Sequence, residues 1–145
     1  MMATPSSSLP ALELVPPGDL RDRLNEQVLS GVKTATSRLV VMDAMAGIDP
    51  EPVGTRMALL GSDGEQLAVV EITRVFIAPF GTIGAEVSAA EGEWMVDPAD
   101  WRAAHTRYWT AQIPAIRSHL LDEGWELTEE TPVIVRFFCH IKEDE

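Results

Sequence analysis

Eight consecutive residues, Gly31-Val32-Lys33-Thr34-Ala35-Thr36-Ser37-Arg38, bring together one lysine, three hydroxyls and one arginine. These types suit nucleophilic or general-base chemistry. A threonine hydroxyl is unreactive at neutral pH until a base stands beside it. A lysine becomes such a base when burial, or a neighbouring cation such as Arg38, lowers its pKa. Geometry decides whether Lys33 and Thr36 cooperate. In a straight strand they point to opposite faces, while Thr34, Thr36 and Arg38 share one. If the chain turns near Ala35 and a helix opens at Thr36, Lys33 folds back towards the hydroxyl. The amides of Ser37 and Arg38 then face outward to receive an anion or a developing oxyanion. The octet also has a plainer reading, because short motifs match by chance. Thr36 is then a helix cap, Lys33 a solvated side chain, and Arg38 a partner for surface carboxylates.

Two other clusters carry chemistry. In Glu91-Gly92-Glu93-Trp94, a glutamate just past a helix end and beside an indole can have a raised pKa and act as a general acid. The same residues also read as an exposed helix terminus. Trp101, His105, Tyr108 and Trp109 share one helix face by their spacing. Such a stripe packs a core, or lines a pocket that stacks a flat heterocycle at about 1–3 kcal/mol per base. His105 would then orient a ligand, or rest half-buried on one backbone partner. His119 and His140 stand at no metal-site spacing from Cys139, so no structural zinc is expected; nor is a cofactor.

These residues need elements to position them. Leu20, Leu24 and Val28 recur at four-residue spacing between Asp19, a candidate N-cap, and Gly31, a candidate stop, which predicts a helix over 20–30. Residues 38–46 are a nearly continuous apolar run that periodicity leaves open. A β-hairpin follows, with arms at 56–60 and 66–78 around Ser62-Asp63-Gly64-Glu65. A short helix over 83–90 closes at Gly92. Asp97 and Pro98 open a longer helix to about residue 112, and Pro114 breaks it. Val133 to Ile141 reads as a buried strand. Helices interleaved with short strands around a central hairpin predict a small mixed α+β domain on an antiparallel or barrel-like sheet.

The 145 residues suffice for one domain with a real core. Residues 1–15 read as a flexible N-terminal segment and 16–145 as the single domain. The net charge of −12 argues against tight, sequence-independent binding to long nucleic acid, which usually needs a basic surface. A small ligand, or a short nucleic-acid element in a local basic pocket, remains compatible with it. A single cysteine, no apolar run long enough to cross a bilayer and no signal-peptide pattern point to a cytoplasmic protein with no membrane partner.

The octet resembles the G-x-K-T-x-T-x-R signature of the ASCH superfamily, relatives of the PUA RNA-binding domains. Pro79-Phe80 after the hairpin, Glu91-Gly92-Glu93, the set Trp101, His105, Tyr108 and Trp109, and a closing strand like Val133 to Phe138 follow in the order of one bacterial ASCH branch. The resemblance spans Asp19 to Ile141. It implies a PUA-like small β-barrel flanked by helices, and a role in RNA or modified-nucleoside metabolism. Small members include amidohydrolases that deacetylate N4-acetylcytidine. Matched by motif, Lys33 is the base, Thr36 the nucleophile that becomes acylated, and Glu93 the acid that protonates the leaving amine. Ser37, Arg38, Glu91, Trp101, His105 and Tyr108 are the expected substrate-binding residues. A non-catalytic RNA-binding module is the alternative, with a ribonuclease behind it. The chain departs from the branch at Trp94-Met95, where many relatives place another acid, and at Arg136, where a glutamate is common. Its longer stretch after Tyr108 can narrow the cleft or form a homodimer surface.

Overall fold

The computed structural model describes residues 9–49 and 51–142, with the Glu93 side chain left outside the description. Among the described residues the strands and α-helices follow in the order β1 (Ala11–Leu12), α1 (Asp19–Ser30), β2 (Ala35–Leu39), α2 (Val40–Met45), β3 (Arg56–Leu60), β4 (Gln66–Pro79), α3 (Ala85–Glu91), α4 (Pro98–Thr110), α5 (Ile113–Leu120) and β5 (Pro132–Ile141). The sheet order is β1-β3-β4-β5-β2. β1 runs parallel to β3, and the other neighbours are antiparallel. The mixed α+β architecture is the expected one, but the sheet is open and does not close into a barrel. Its two short edges, β1 and β2, pair with β3 and β5 and not with each other.

Turn and cap chemistry explains several element ends. Gly31 stops α1 in the left-handed conformation (φ 88°). Asp97 accepts a hydrogen bond from the Ala99 amide, and Pro98 occupies the first turn of α4. At α1 the cap differs from expectation. Gly18 precedes the helix and Asp19 is its first residue, placed where a carboxylate favours the helix dipole. The ambiguous run after Arg38 divides: Leu39 ends β2 and Val40 opens α2. Ala11 and Leu12, within the segment that composition assigns to the N-terminus, add an edge strand, and Leu12 is buried.

The sheet separates two apolar clusters. On one face, Leu39, Val133 and Val135 pack with Phe80, Val87, Trp101, Trp109 and Ile116 from the helices. On the other, Leu12, Met57, Leu59, Val70, Ile72 and Phe138 pack with Val28 of α1. The alternation of β5 produces this division, since odd-numbered Val133 and Val135 face one way and Phe138 the other. The register shift between Ile72 and Arg74 inserts one extra residue, Thr73, into β4. No helix among the described residues is long and apolar enough to cross a membrane.

α4 carries Trp101 and His105, so its start fixes where they lie. Asp97→Ala removes the cap and should lower stability by about 1 kcal/mol. Urea denaturation reads this directly, and Asp97→Asn should retain most of it.

Candidate active site

No helix opens at Thr36. The octet passes from the αL stop at Gly31 through a short connection into an edge strand. Its lead-in residues complete two helix ends. The Val32 and Lys33 amides donate to the Gln27 carbonyl at 2.9 and 3.0 Å, and the Thr34 amide donates to the Ala90 carbonyl at 2.7 Å. The C-terminal carbonyls of a helix lack intrahelical donors. Here the chain entering β2 supplies them for both α1 and α3.

β2 pairs with β5 through Thr36↔Arg136 and Arg38↔Ile134, and the Phe138 amide donates to the Thr34 carbonyl. Antiparallel pairing alternates, so Thr34, Thr36 and Arg38 direct their backbone groups at β5. Ala35 and Ser37 turn theirs to the free edge. Lys33 uses that edge. Its ammonium folds forward and donates to the Ala35 carbonyl at 2.8 Å and to the Glu91 carbonyl at 2.9 Å. It also lies 3.4 Å from Glu91 Oε1. Lys33 and Glu91 are both buried.

Glu91, the last residue of α3, is the hub. Ser37 Oγ donates to Oε2 in a very short hydrogen bond, and Trp101 Nε1 donates to the same oxygen at 3.0 Å. His105 Nε2 lies 3.5 Å from Oε1. Burial alone pushes the Glu91 carboxyl up, but the Lys33 ammonium, followed by His105 and Ser37, overrides it and brings the group down to about 2. For Lys33, burial wins over the opposing pull of Glu91 and lowers the pKa from that of free lysine. Glu91 is therefore an anion at neutral pH, and Lys33 is shifted in the direction a base requires.

The side chains of β2 alternate. Ser37 takes the Glu91 face. Thr36 and Arg38 take the other, beside Arg136, which donates to Asp43 at 2.8 Å and to Glu51 at 2.6 Å. Arg38 Nε stands 2.5 Å from Asp43 Oδ1, though without the alignment of a hydrogen bond. Arg38 therefore already has a carboxylate neighbour and is half-exposed. Thr36 Oγ1 forms no hydrogen bond among the described residues. No hydrogen bond joins it to Lys33, and both residues line one cavity of about 700 Å³. That volume lies within the usual range for small-molecule sites.

The cavity straddles the free edge of β2. Lys33, Thr36, Ser37, Arg38, Glu91 and His105 belong to its polar lining. Leu14, Leu20, Leu24, Met42, Met95 and Tyr108 also line it. Seven of the nine expected site residues, the six polar ones and Tyr108, thus line one cavity. Tyr108 is exposed on the rim. Trp101 is fully buried behind the wall, where it can brace Glu91 and His105 but cannot stack a ligand. The Glu93 side chain lies outside the described residues, and the carboxylate that meets Lys33 is that of Glu91. Trp94 was not among the expected contacts, yet it is exposed and lines the cavity, with the Arg23 guanidinium 5.6 Å from its ring centre. Its position next to the Glu91-Gly92-Glu93 triplet was the available signal. Among the described residues no group of three or more His, Cys, Asp or Glu gathers to hold a metal.

The ASCH domain family matches residues 13–142. The chain belongs to the ASCH domain family, and so to the PUA-like superfamily. Among curated protein sequences, none matches. The ASCH domain from Lactobacillus crispatus has the same fold, with a TM-score of 0.77 at 22% identity over 92% of this chain and 79% of that one. A protein from Enterococcus faecalis matches with a TM-score of 0.68 at 21% identity, over 82% of this chain and 67% of that one. At these identities the likeness speaks for the fold.

The Lys33–Glu91 pair makes acid stability sensitive to one contact. The folded pKa of Glu91 lies below its unfolded value, so its contribution is fully present above about pH 4.5 and is lost as pH falls towards 2. In Lys33→Met the carboxyl rises, and this acid-induced loss should shrink. Stability at pH 7 should fall by about 3–5 kcal/mol, because the carboxylate stays buried without its ammonium. Urea denaturation of both proteins from pH 2.5 to 7 measures the two effects.

Proposed function

We propose that this ASCH domain is a small amidohydrolase acting on an N-acylated nucleoside such as N4-acetylcytidine. The observation that carries this reading is a buried lysine of lowered pKa lining the same cavity as a threonine hydroxyl that forms no hydrogen bond among the described residues. Thr36 Oγ1 attacks the acyl carbonyl, and neutral Lys33 takes its proton. The carbon–nitrogen bond breaks, and the exocyclic amine leaves with a proton. Water then hydrolyses the acyl-threonine ester to release the acid and free Thr36.

Glu93 is the residue that the family resemblance assigns as the acid. Glu91 suits that role poorly, because a carboxyl held near 2 has no proton to give at neutral pH. It serves instead to hold Lys33 against the edge of β2. Ser37 has an outward-facing backbone N–H on that edge, in line with a donor to the carbonyl oxygen as it becomes negative. Tyr108 and Trp94 are the exposed aromatics that can meet a flat base. The charge of −12 favours a compact ligand over a long polyphosphate.

Incubating the purified protein with N4-acetylcytidine should release cytidine and acetate. Lys33→Ala and Thr36→Ala should each lower kcat by at least about 100-fold, the usual span for a lost base or nucleophile. Unchanged turnover in both variants would overturn these roles. Salt-dependent binding of a short RNA with no turnover of any acylated nucleoside would replace the reading with that of a binding module.

A further inference from the structure

A second, smaller cavity of about 60 Å³ shares Leu14, Thr36 and Arg38 with the first. Its other polar residues are Glu13, Asp43, Glu51 and Arg136. Two buried atoms of this lining form no hydrogen bond among the described residues, Arg38 Nε and Asp43 Oδ1. They stand 2.5 Å apart but misaligned, so neither satisfies the other. Leaving buried polar atoms unpaired is costly, and in folded proteins most are bonded to protein or to ordered water.

The two atoms together select their partner. Arg38 Nε has an N–H to donate, and Asp43 Oδ1 has lone pairs to fill. A bare anion meets only the first need, and a metal cation only the second. Water meets both. A cavity needs about 10–15 Å³ to admit one water, and this chamber exceeds that. Arg136 holds the rest of Asp43 in place. It donates to Asp43 Oδ2 at 2.8 Å and to Glu51 Oε1 at 2.6 Å, which leaves Oδ1 for the chamber. Asp43 is only 4% exposed.

We propose that this chamber binds an ordered water, hydrogen-bonded to Arg38 Nε and Asp43 Oδ1, and that this water hydrolyses the acyl-Thr36 ester with Asp43 as its base. The role of the water rests on the amidohydrolase reading, and its place in the chamber does not. Thr36 lines both cavities, so the nucleoside occupies the larger one while the smaller one supplies water. The water oxygen bonds to the acyl carbon, and its proton passes to Asp43 Oδ1. The bond from that carbon to Thr36 Oγ1 then breaks, and Asp43 returns the proton to Oγ1. The acid leaves with the second proton of the water. Lys33 meets Glu91 on one face of β2, and Asp43 meets Arg38 on the other. The two half-reactions thus have separate bases.

A crystal structure of the ligand-free wild-type protein tests the site with no variant and no substrate. A water bonded to both Arg38 Nε and Asp43 Oδ1 is expected. Asp43→Asn tests the role. It should still release the first equivalent of cytidine from N4-acetylcytidine as a burst, and then turn over at least about 100-fold more slowly than wild type. Acetylated protein should accumulate, with the acetyl group mapped to Thr36 by mass spectrometry. Added hydroxylamine, a nucleophile that does not depend on this base, should restore turnover and yield acetohydroxamate. Arg38→Met removes only the donor, from a half-exposed side chain, and should show the same burst with a smaller slowing.

A direct Arg38–Asp43 hydrogen bond beside a dry chamber overturns the proposal. So does unchanged steady turnover in both variants. Loss of the burst in folded Asp43→Asn overturns the assigned role, because a base for the second step alone leaves acylation intact. A water in place with no cleavage of any acylated nucleoside rejects the proposed reaction and retains the site. Cleavage by a protein whose chamber is dry rejects this inference alone.

Discussion

A carboxylate buried at the end of a helix organises this domain. Glu91 is only 2% exposed and sits where the dipole of α3 is negative, so both solvation and helix electrostatics oppose its charge. It stays ionised because four side chains converge on it from three places: Lys33 before β2, Ser37 on β2, and Trp101 and His105 on α4. Each of its oxygens has two of these neighbours. The group therefore ties the edge of the sheet to two helices, and moving any one of them leaves a polar atom uncompensated. Such an arrangement adds little net stability over an apolar equivalent, but it is costly to break. Its consequence is geometric, since it fixes the position of Lys33 to within hydrogen-bond tolerances.

The edge strand accounts for the rest of the site. A central strand would consume its backbone groups on both sides. β2 has β5 on one side only, so the Ala35 carbonyl is free to hold Lys33. Alternation then sends Ser37 to the carboxylate and Thr36 to the other face, with Arg38 and Arg136. Lys33 and Thr36 lie on one cavity without touching because the cavity wraps the edge. The strand-against-helix question posed by the octet thus resolves as a strand, with the lysine bent along it.

Much of the fold was legible because local chemistry punctuates it. Asp63-Gly64, Asp97-Pro98, Gly31 and Gly92 mark turns and ends that the structure reproduces within a few residues. β2 was not legible, since Ala35-Thr36-Ser37-Arg38-Leu39 contains one large apolar residue and gains its burial from β5, nearly a hundred positions away. The open sheet was equally hidden: pairing of a two-residue strand such as β1 depends on what lies beside it. Lys33, Ser37, Glu91, Trp101 and His105 could be nominated from residue type and resemblance. Their division of labour could not. Gly92, at φ 134°, swings the chain between the two glutamates, and no period rule carries through such a turn. Trp101 belonged to an aromatic stripe whose spacing shows a shared face but not which members reach solvent.

The local charge also bears on what can enter. Lys33, Arg38 and Arg107 line the cavity of a molecule whose net charge is −12. Screening limits surface fields to about 8 Å at physiological ionic strength. A ligand inside the cavity therefore meets the local cations, while a chain of phosphates extending beyond the mouth meets the acidic exterior. Affinity here has to come from contacts made within the cavity. For an acylated nucleoside these are an aromatic rim for the base, backbone donors for the carbonyl, and a wall where the ammonium, carboxylate and imidazole side chains share a single oxygen.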